Sequence, residues 1–192
     1  MAIAALCVAA VLVSACGQSP TADPAAAPGK PQAIHRAAAP GARSAGQRPV
    51  TTTAGDRHAF VRHADAICRR AHDRIGAVGR QLVELVDAVR NRQLRVPAYY
   101  RRSAALTQRS AQIAAASVSA LRALPRPAGD RRLARYLAAS SLQAQLLQAQ
   151  AGALHDRNPK RVVAINAQLA RTAARARALV GGYGFRECAG GR

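Results

Sequence analysis

Apolar and small residues recur at every third or fourth position from about residue 57 almost to the end of this chain. A period near 3.6 residues is typical of helices that bury one face. Turn-forming residues interrupt the pattern, which therefore predicts four helices, over about 57–92, 97–124, 130–156 and 159–180. The connections between them are short and make neighbours antiparallel, so we expect an all-α, antiparallel four-helix bundle in residues 56–192.

The residue types agree with this pattern. Ala, Leu, Arg and Gln predominate, and all four favour helices over strands, so the composition disfavours a β-sandwich as the fold class. Asp56 is expected to cap the first helix, and Asn158 followed by Pro159 to begin the fourth. Gly181 and Gly182 should end the fourth helix.

Polar residues on the apolar face of a predicted helix allow two interpretations. Ser103, Ser110 and Ser117 fall seven apart on the apolar face of the second helix. They either line a polar groove or allow close helix packing, and small residues at this spacing favour packing. The third helix carries four glutamines that we expect at the surface: Gln143, Gln145, Gln148 and Gln150.

The first 15 residues have the features of a lipoprotein signal peptide. Residues 2–13 are uncharged and apolar, which is the length of a signal-peptide core and short for a membrane span. They lead into Val13-Ser14-Ala15-Cys16, which resembles the bacterial lipobox. That resemblance implies cleavage before Cys16 and a diacylglycerol, with palmitate-type acyl chains, on its thiol. The alternative is a plain secretory signal, and the lack of Lys or Arg before the apolar run departs from either pattern.

Residues 16–55 are expected to form a disordered tether behind the lipidated Cys16. The stretch is rich in Pro and Ala and has no aromatic residue, so it cannot bury enough surface to fold. As a flexible coil it would reach about 35 Å. We therefore expect an extracytoplasmic domain, anchored to the cell membrane through lipid.

The predicted bundle also determines whether the remaining cysteines can lie close enough to form a disulfide. Cys7 leaves with the signal peptide and Cys16 takes the lipid, so Cys68 and Cys188 are left in an exported protein, where disulfides persist. Cys68 lies about 36 Å back along the first helix, and the fourth helix climbs about 33 Å before the C-terminal tail begins. The two thiols should therefore meet in a disulfide; two free thiols are the alternative.

Two short motifs carry a family resemblance. Ala-Asp-Ala-Ile-Cys at 64–68 is paired with Tyr-Gly-Phe-Arg-Glu-Cys at 183–188. The chain resembles an uncharacterised family of small actinobacterial lipoproteins and secreted helical-bundle proteins. The resemblance implies a bundle closed by Cys68 and Cys188, and it brings no activity with it.

The charge points to partners without naming one. With 29 basic and 9 acidic residues the net charge is +20, and all the basic residues except Lys30 and Lys160 are Arg. Such a balance favours anionic lipid, anionic envelope polymers or nucleic acid, although a solvated basic surface is the simpler reading. Because the predicted export places the domain outside the cytoplasm, we expect no nucleic acid as a partner; a cytoplasmic start site downstream would restore that partner.

Catalytic and cofactor chemistry finds little support in the sequence. His58, Asp65 and His72 fall seven apart on the first helix, which is too far along the axis for one metal ion to reach all three. Tyr99, Tyr183 or a histidine could ligate haem, but no pattern selects one. We therefore expect no enzyme, no catalytic residues, no metal site and no cofactor.

Tyr183 and Phe185 are the remaining candidates for a site. They either cap the bundle end, with Phe185 beside Phe60 or Ala64, or present an aromatic patch to a partner protein. The function expected from all this is a non-enzymatic binding or adaptor protein of the cell envelope. The alternatives are a basic module that holds anionic envelope polymer or lipid, and a carrier of metal, haem or another small ligand.

Overall fold

The computed structural model describes residues 54–126 and 129–190, with side chains from residue 57 onward. It contains four helices: α1 (Ala54–Arg90), α2 (Val96–Ala123), α3 (Arg131–His155) and α4 (Pro159–Val180). The described ranges hold no strand, so the predicted all-α fold is confirmed. The predicted signal peptide, Cys16 and nearly all of the predicted tether lie outside these residues.

Local signals explain where the helices begin and end. The Asn158 side chain accepts a hydrogen bond from the Arg161 N–H at 3.0 Å, ahead of Pro159, as the sequence predicts for α4. Asp130 caps α3 in the same way, through the Leu133 N–H at 2.9 Å. The prediction for Asp56 is wrong, because α1 begins two residues earlier and Asp56 lies inside its first turn.

The helices pack as an up-down-up-down helical bundle. Extensive contact within the described ranges joins consecutive helices only, α1 to α2, α2 to α3 and α3 to α4. Direct packing of α1 on α4 is sparse. That seam is closed at one end of the bundle by residues 181–190, which we call the C-terminal clasp.

Two glycines turn the chain from α4 into the clasp. Gly182 and Gly184 have φ of +74° and +101°, a conformation that side chains other than glycine rarely adopt. A Cβ at either position would meet no atom within 4 Å, so backbone conformation rather than lack of space requires glycine. The reversal returns the chain across the end of the bundle to α1.

The core is divided along the bundle axis. At the clasp end, one apolar cluster takes side chains from all four helices and from the clasp, including Phe60, Leu121, Tyr136, Val180 and Phe185. Toward the other end the apolar residues form two separate clusters. One joins α1 to α2, around Val78 and Ile113, and the other joins α2, α3 and α4.

Candidate functional site

A disulfide holds the clasp to α1. Cys68 and Cys188 are bonded across 120 residues, with Cα atoms 5.2 Å apart, and this confirms the predicted pairing. Both residues are buried, at 6% and 8% exposed. A bond shielded from solvent in this way is difficult for a thiol reductant to reach, which is typical of a structural disulfide.

Asp65 forms a second attachment between α1 and the clasp. Its carboxylate accepts hydrogen bonds from three consecutive backbone N–H groups, those of Arg186, Glu187 and Cys188, at 3.0, 3.0 and 3.1 Å. Hydrogen bonds to a charged acceptor are stronger than neutral ones. Sequence reasoning considered Asp65 only as a metal ligand; its place three residues before Cys68, on the same side of α1, is the signal that indicates this role.

Aromatic rings fill the space beneath the clasp. Phe185 stacks on Tyr183 with ring centroids 4.8 Å apart, and it also packs against Tyr136 and Phe60 at 6.0 and 6.2 Å. The guanidinium of Arg57 covers the outer face of Tyr183, 4.3 Å from its centroid. Tyr183 and Phe185 are only 5% and 8% exposed, so they pack in the core and leave little ring surface for a partner.

The clasp end also shifts the pKa values of its phenols. Burial, followed by the nearby charge of Asp130, raises the pKa of Tyr183 far above its usual value, and burial raises that of Tyr136. The Tyr183 hydroxyl completes no hydrogen bond within the described residues.

The other half of the bundle buries polar side chains. Gln150 of α3 donates a hydrogen bond to the Asn166 carboxamide of α4 at 2.6 Å, and Gln150 is only 2% exposed. The prediction that Gln150 lies at the surface is therefore wrong, because its place on α3 faces α4 rather than solvent. Sequence could not separate it from Gln145 and Gln148, which are exposed.

The serine positions divide in a similar way. Ser103 and Ser110 are buried, at 0% and 1% exposed, and Ser117 is half-buried and donates a hydrogen bond to the Ala114 carbonyl. The hydroxyls of Ser103 and Ser110, and the Gln150 carbonyl oxygen, have no hydrogen-bond partner within the described chain. These residues therefore lie at packed helix interfaces where some buried polar atoms lack a hydrogen-bond partner within the described chain.

The remaining candidates for small-molecule binding are not gathered into a site. Asp65 is engaged by the clasp, while His58 and His72 point to solvent, and residues 54–126 and 129–190 contain no group of three possible metal ligands. An open groove between α1 and α2 has Leu85 and Leu106 at its floor, with Glu84 and Arg102 beside them.

Charge is distributed unevenly over the four helices. Helices α2, α3 and α4 contain no acidic residue, whereas α1 carries five. Twelve basic residues lie on α2–α4, and every one is exposed: Arg101, Arg102, Arg109, Arg122, Arg131, Arg132, Arg135, Lys160, Arg161, Arg171, Arg175 and Arg177.

Few of these cations are engaged within the molecule. In the described ranges the one ion pair, Arg90 with Asp87 at 3.7 Å, lies on α1. Arg132 donates to the Gly181 and Ala178 carbonyls at the end of α4, and Arg122 donates to Ser141. Three of the four helices therefore present positive charge that no carboxylate on the same helices offsets.

Comparison with known proteins identifies no relative of this chain. The chain matches no protein family, no curated protein and no solved structure. Among the described helices, none combines the length and the hydropathy needed to span a membrane. The function must therefore be argued from the residues themselves.

Proposed function

We propose that this protein is a lipid-anchored, extracytoplasmic binding module that holds anionic lipid or polymer of the cell envelope without catalysing a reaction. Its lipidated residue is Cys16, and residues 17–53 tether the bundle to the membrane. The bundle contributes a rigid scaffold and a basic surface.

The observation that carries the proposal is the charge pattern of α2–α4. Twelve exposed cations lie on these helices, and the connections between them add only Asp130 and Asp156, so the excess of positive charge attracts polyanions. A merely solvated basic surface would be free to intersperse carboxylates, as α1 does. Interspersed signs lower self-repulsion, so their absence from three helices favours a binding role.

The disulfide supports an extracytoplasmic location for the protein. Cys68 and Cys188 pair with each other, and disulfides persist in oxidising compartments outside the cytoplasm. This pairing leaves Cys16 available for the modification that its Val-Ser-Ala-Cys context suggests. An extracytoplasmic location in turn makes envelope polyanions, rather than nucleic acid, the anions that the basic helices would meet.

The anchor and the disulfide are tested together by intact mass. The protein is purified from the membrane fraction of its native host and weighed with and without reductant. We expect a chain that begins at Cys16, carries a diacylglycerol-sized addition, and gains about two daltons on reduction (two hydrogens per disulfide). An unmodified chain that begins at Met1 would refute the anchor and would make nucleic acid the leading partner.

The binding role needs its own measurement. Affinity for a soluble polyanion such as polyphosphate is measured over a range of salt concentrations, with a neutral polymer as control. We expect binding that weakens steeply with salt, because exposed charges are screened. Equal affinity for the neutral polymer would refute the role of the basic helices.

A further inference from the structure

Two of the three connections between helices lie at the end of the bundle opposite the clasp, because consecutive helices run in opposite directions. The first half of α2, the end of α3 and the start of α4 share one buried cluster toward that end, which includes Ala104, Leu154 and Val162. We call residues 87–95 and 155–161, which contain both connections, the distal tip.

The distal tip is strongly basic. It contains six basic and two acidic residues, and all eight are exposed: Arg90, Arg92, Arg95, Arg157, Lys160, Arg161, Asp87 and Asp156. Arg90 pairs with Asp87 at 3.7 Å. Within the residues that the structure describes, the other five cations make no ion pair, so their charge is available to a partner.

The two turns of the tip carry arginine where a helix end usually has glycine. Arg92 and Arg157 have φ of +57° and +53°, and in the described ranges they are the only residues other than glycine with a positive φ. Each follows a helix in the same motif, in which the next N–H bonds to the carbonyl five residues earlier, at 2.8 and 2.9 Å. Glycine adopts this conformation without strain, so an arginine here costs stability.

The starts of α2 and α4 add cations where a helix disfavours them. A helix N-terminus carries a partial positive charge that repels Arg95, Lys160 and Arg161, and neither helix has an acidic residue in its first turn. At the clasp end, by contrast, α3 begins with the carboxylate of Asp130. The C-termini of α1 and α3 favour the two turn arginines, which offsets part of these costs. Helix stability alone therefore does not account for the charge of the distal tip.

We propose that the distal tip binds a linear, phosphate-bearing polyanion through its basic side chains. Five of its six basic residues are Arg, whose planar guanidinium matches the geometry of phosphate oxygens. The binding groups are side chains rather than helix N–H groups, because Asn158 already caps α4 and Pro97 at the start of α2 has no N–H. This inference rests on the proposed function, since it chooses polymer over lipid and names the surface that meets it.

The position of the tip favours a polymer over the membrane that would hold the anchor. Helix α1 has 37 residues and is about 55 Å long, and the proposed tether joins it at the clasp end. End-on contact of the tip with that membrane would require the tether to span about this length, whereas a coil of about 37 residues has a mean reach of roughly 33 Å. A polymer that extends away from the membrane meets the tip without such stretching. A second copy of the chain would set cations against cations.

The test uses the full chain with Cys16→Ala, so that no lipid contributes to binding. Affinity for polyphosphate is measured by isothermal titration calorimetry between about 50 and 200 mM salt. The logarithm of the affinity should fall linearly with the logarithm of the salt concentration, because each neutralised phosphate releases a counterion. The slope therefore reports how many cations contact the polymer.

Charge-matched variants locate the surface. R92Q/R157Q/K160Q removes three cations from the distal tip, and R126Q/R131Q/R135Q removes three exposed cations near the clasp end. We expect the tip variant to bind at least about tenfold more weakly, with a salt slope shallower by about two to three. The clasp-end variant should lose less than about threefold. Equal losses would overturn the proposal in favour of general attraction.

The double variant R92G/R157G separates binding from folding. It removes two cations but gives both turns the residue that their backbone favours, so it should unfold at the same urea concentration as the wild type or at a higher one. Its affinity for polyphosphate should nevertheless fall by at least about fivefold. R131Q/R135Q is the control with the same loss of charge and should fall by less than about twofold. Wild-type affinity in R92G/R157G would show that the turn arginines do not bind the polymer.

Anionic vesicles test the membrane as the alternative partner. With vesicles of phosphatidylcholine containing about 30% phosphatidylglycerol, the tip variant should lose no more affinity than the clasp-end variant. A selective loss of vesicle binding in R92Q/R157Q/K160Q, with polyphosphate binding unchanged, would make the tip a lipid contact and overturn the proposal.

The outcomes separate this inference from the proposed function. Polyphosphate binding that weakens equally in the two triple variants would refute the role of the tip and leave a basic binding module in place. Absence of polyphosphate binding even at about 50 mM salt would refute both. Neither result affects the mass test of the Cys16 anchor.

Discussion

The two ends of this bundle are held together by different means. At the clasp end, a covalent bond, a carboxylate on three N–H groups and four aromatic rings tie all four helices into one cluster. Toward the other end, α1 packs on α2 alone, and α3 meets α4 partly through a buried amide pair. The difference shows that local attachments compensate for a core in which Ala is the most frequent residue, since Ala buries little apolar area.

The comparison predicts that the clasp end supplies most of the stability. The largest effect should come from C68A/C188A, since a disulfide that closes a loop of 120 residues contributes about 5 kcal/mol in the chain-entropy model. Urea unfolding measures the loss. Hydrogen exchange should show the clasp and the start of α1 opening first. A loss below about 1 kcal/mol would mean that packing, rather than the covalent tie, holds the clasp.

The Asp65 carboxylate should have the next largest effect. In D65A the three N–H groups of the clasp lose their acceptor, and we expect a loss of about 3 kcal/mol in the free energy of unfolding. D73A is the matched control on the same helix, because Asp73 is exposed, and it should change stability by less than about 0.5 kcal/mol.

The D65N variant sharpens this comparison. It keeps one acceptor oxygen but loses the charge, so its stability should fall between those of wild type and D65A. If D65A and D73A unfolded at the same urea concentration, the carboxylate would have no role in holding the clasp.

At the opposite end of the bundle, removing both members of the buried amide pair should cost less stability than removing one. Q150L or N166L alone leaves a buried amide without its partner, and each should cost about 1–3 kcal/mol. The double variant Q150L/N166L removes both and should recover most or all of that loss. A double-mutant cycle measures the coupling, and additive losses would show that the two side chains do not depend on each other.

The smallest effect concerns pH at the clasp end. Burial acts to raise the pKa of Asp130, but hydrogen bonds, led by that of the Leu133 N–H, outweigh it and hold the pKa below the usual value of 3.8. A carboxyl whose pKa is lowered by folding stabilises the protein above its unfolded pKa. That stability is lost as the pH falls through 3.8 toward the folded value.

Because D130N lacks this carboxyl, its free energy of unfolding should decrease less than that of the wild type as the pH falls below 3.8. At neutral pH the variant should lose about 0.5 kcal/mol, since a negative charge at a helix N-terminus is favourable. Urea unfolding between about pH 2 and pH 7 measures the slope. If the free energy of unfolding of D130N fell with decreasing pH as steeply as that of the wild type, other carboxylates would account for the acid sensitivity.

The fold was predictable from the sequence because it depends on local periodicity. The apolar positions repeat with the helical period, and Asn158-Pro159 begins α4 through a hydrogen bond between residues three apart. The pairing of Cys68 with Cys188 was also predictable, because helix length alone brings the two thiols to one level of the bundle. Each of these features depends on geometry that a single helix sets.

The contacts between helices were not predictable in the same way. Asp65 meets residues more than 120 positions away, and its three acceptor bonds form only after Gly182 and Gly184 have turned the clasp back toward α1. Gln150 follows the exposed Gln145 and Gln148 in the sequence, and only the position of α4 decides that it is buried.

The sequence by itself determined the number of helices, their direction, the disulfide and the excess of positive charge, since these follow from spacing and composition. Only the tertiary structure decided that α1 and α4 meet mainly through the clasp, and that Gln150 is buried against Asn166. The physical reason is that a helical pattern fixes which residues share a face, while the packing of helices around one another decides what each face meets.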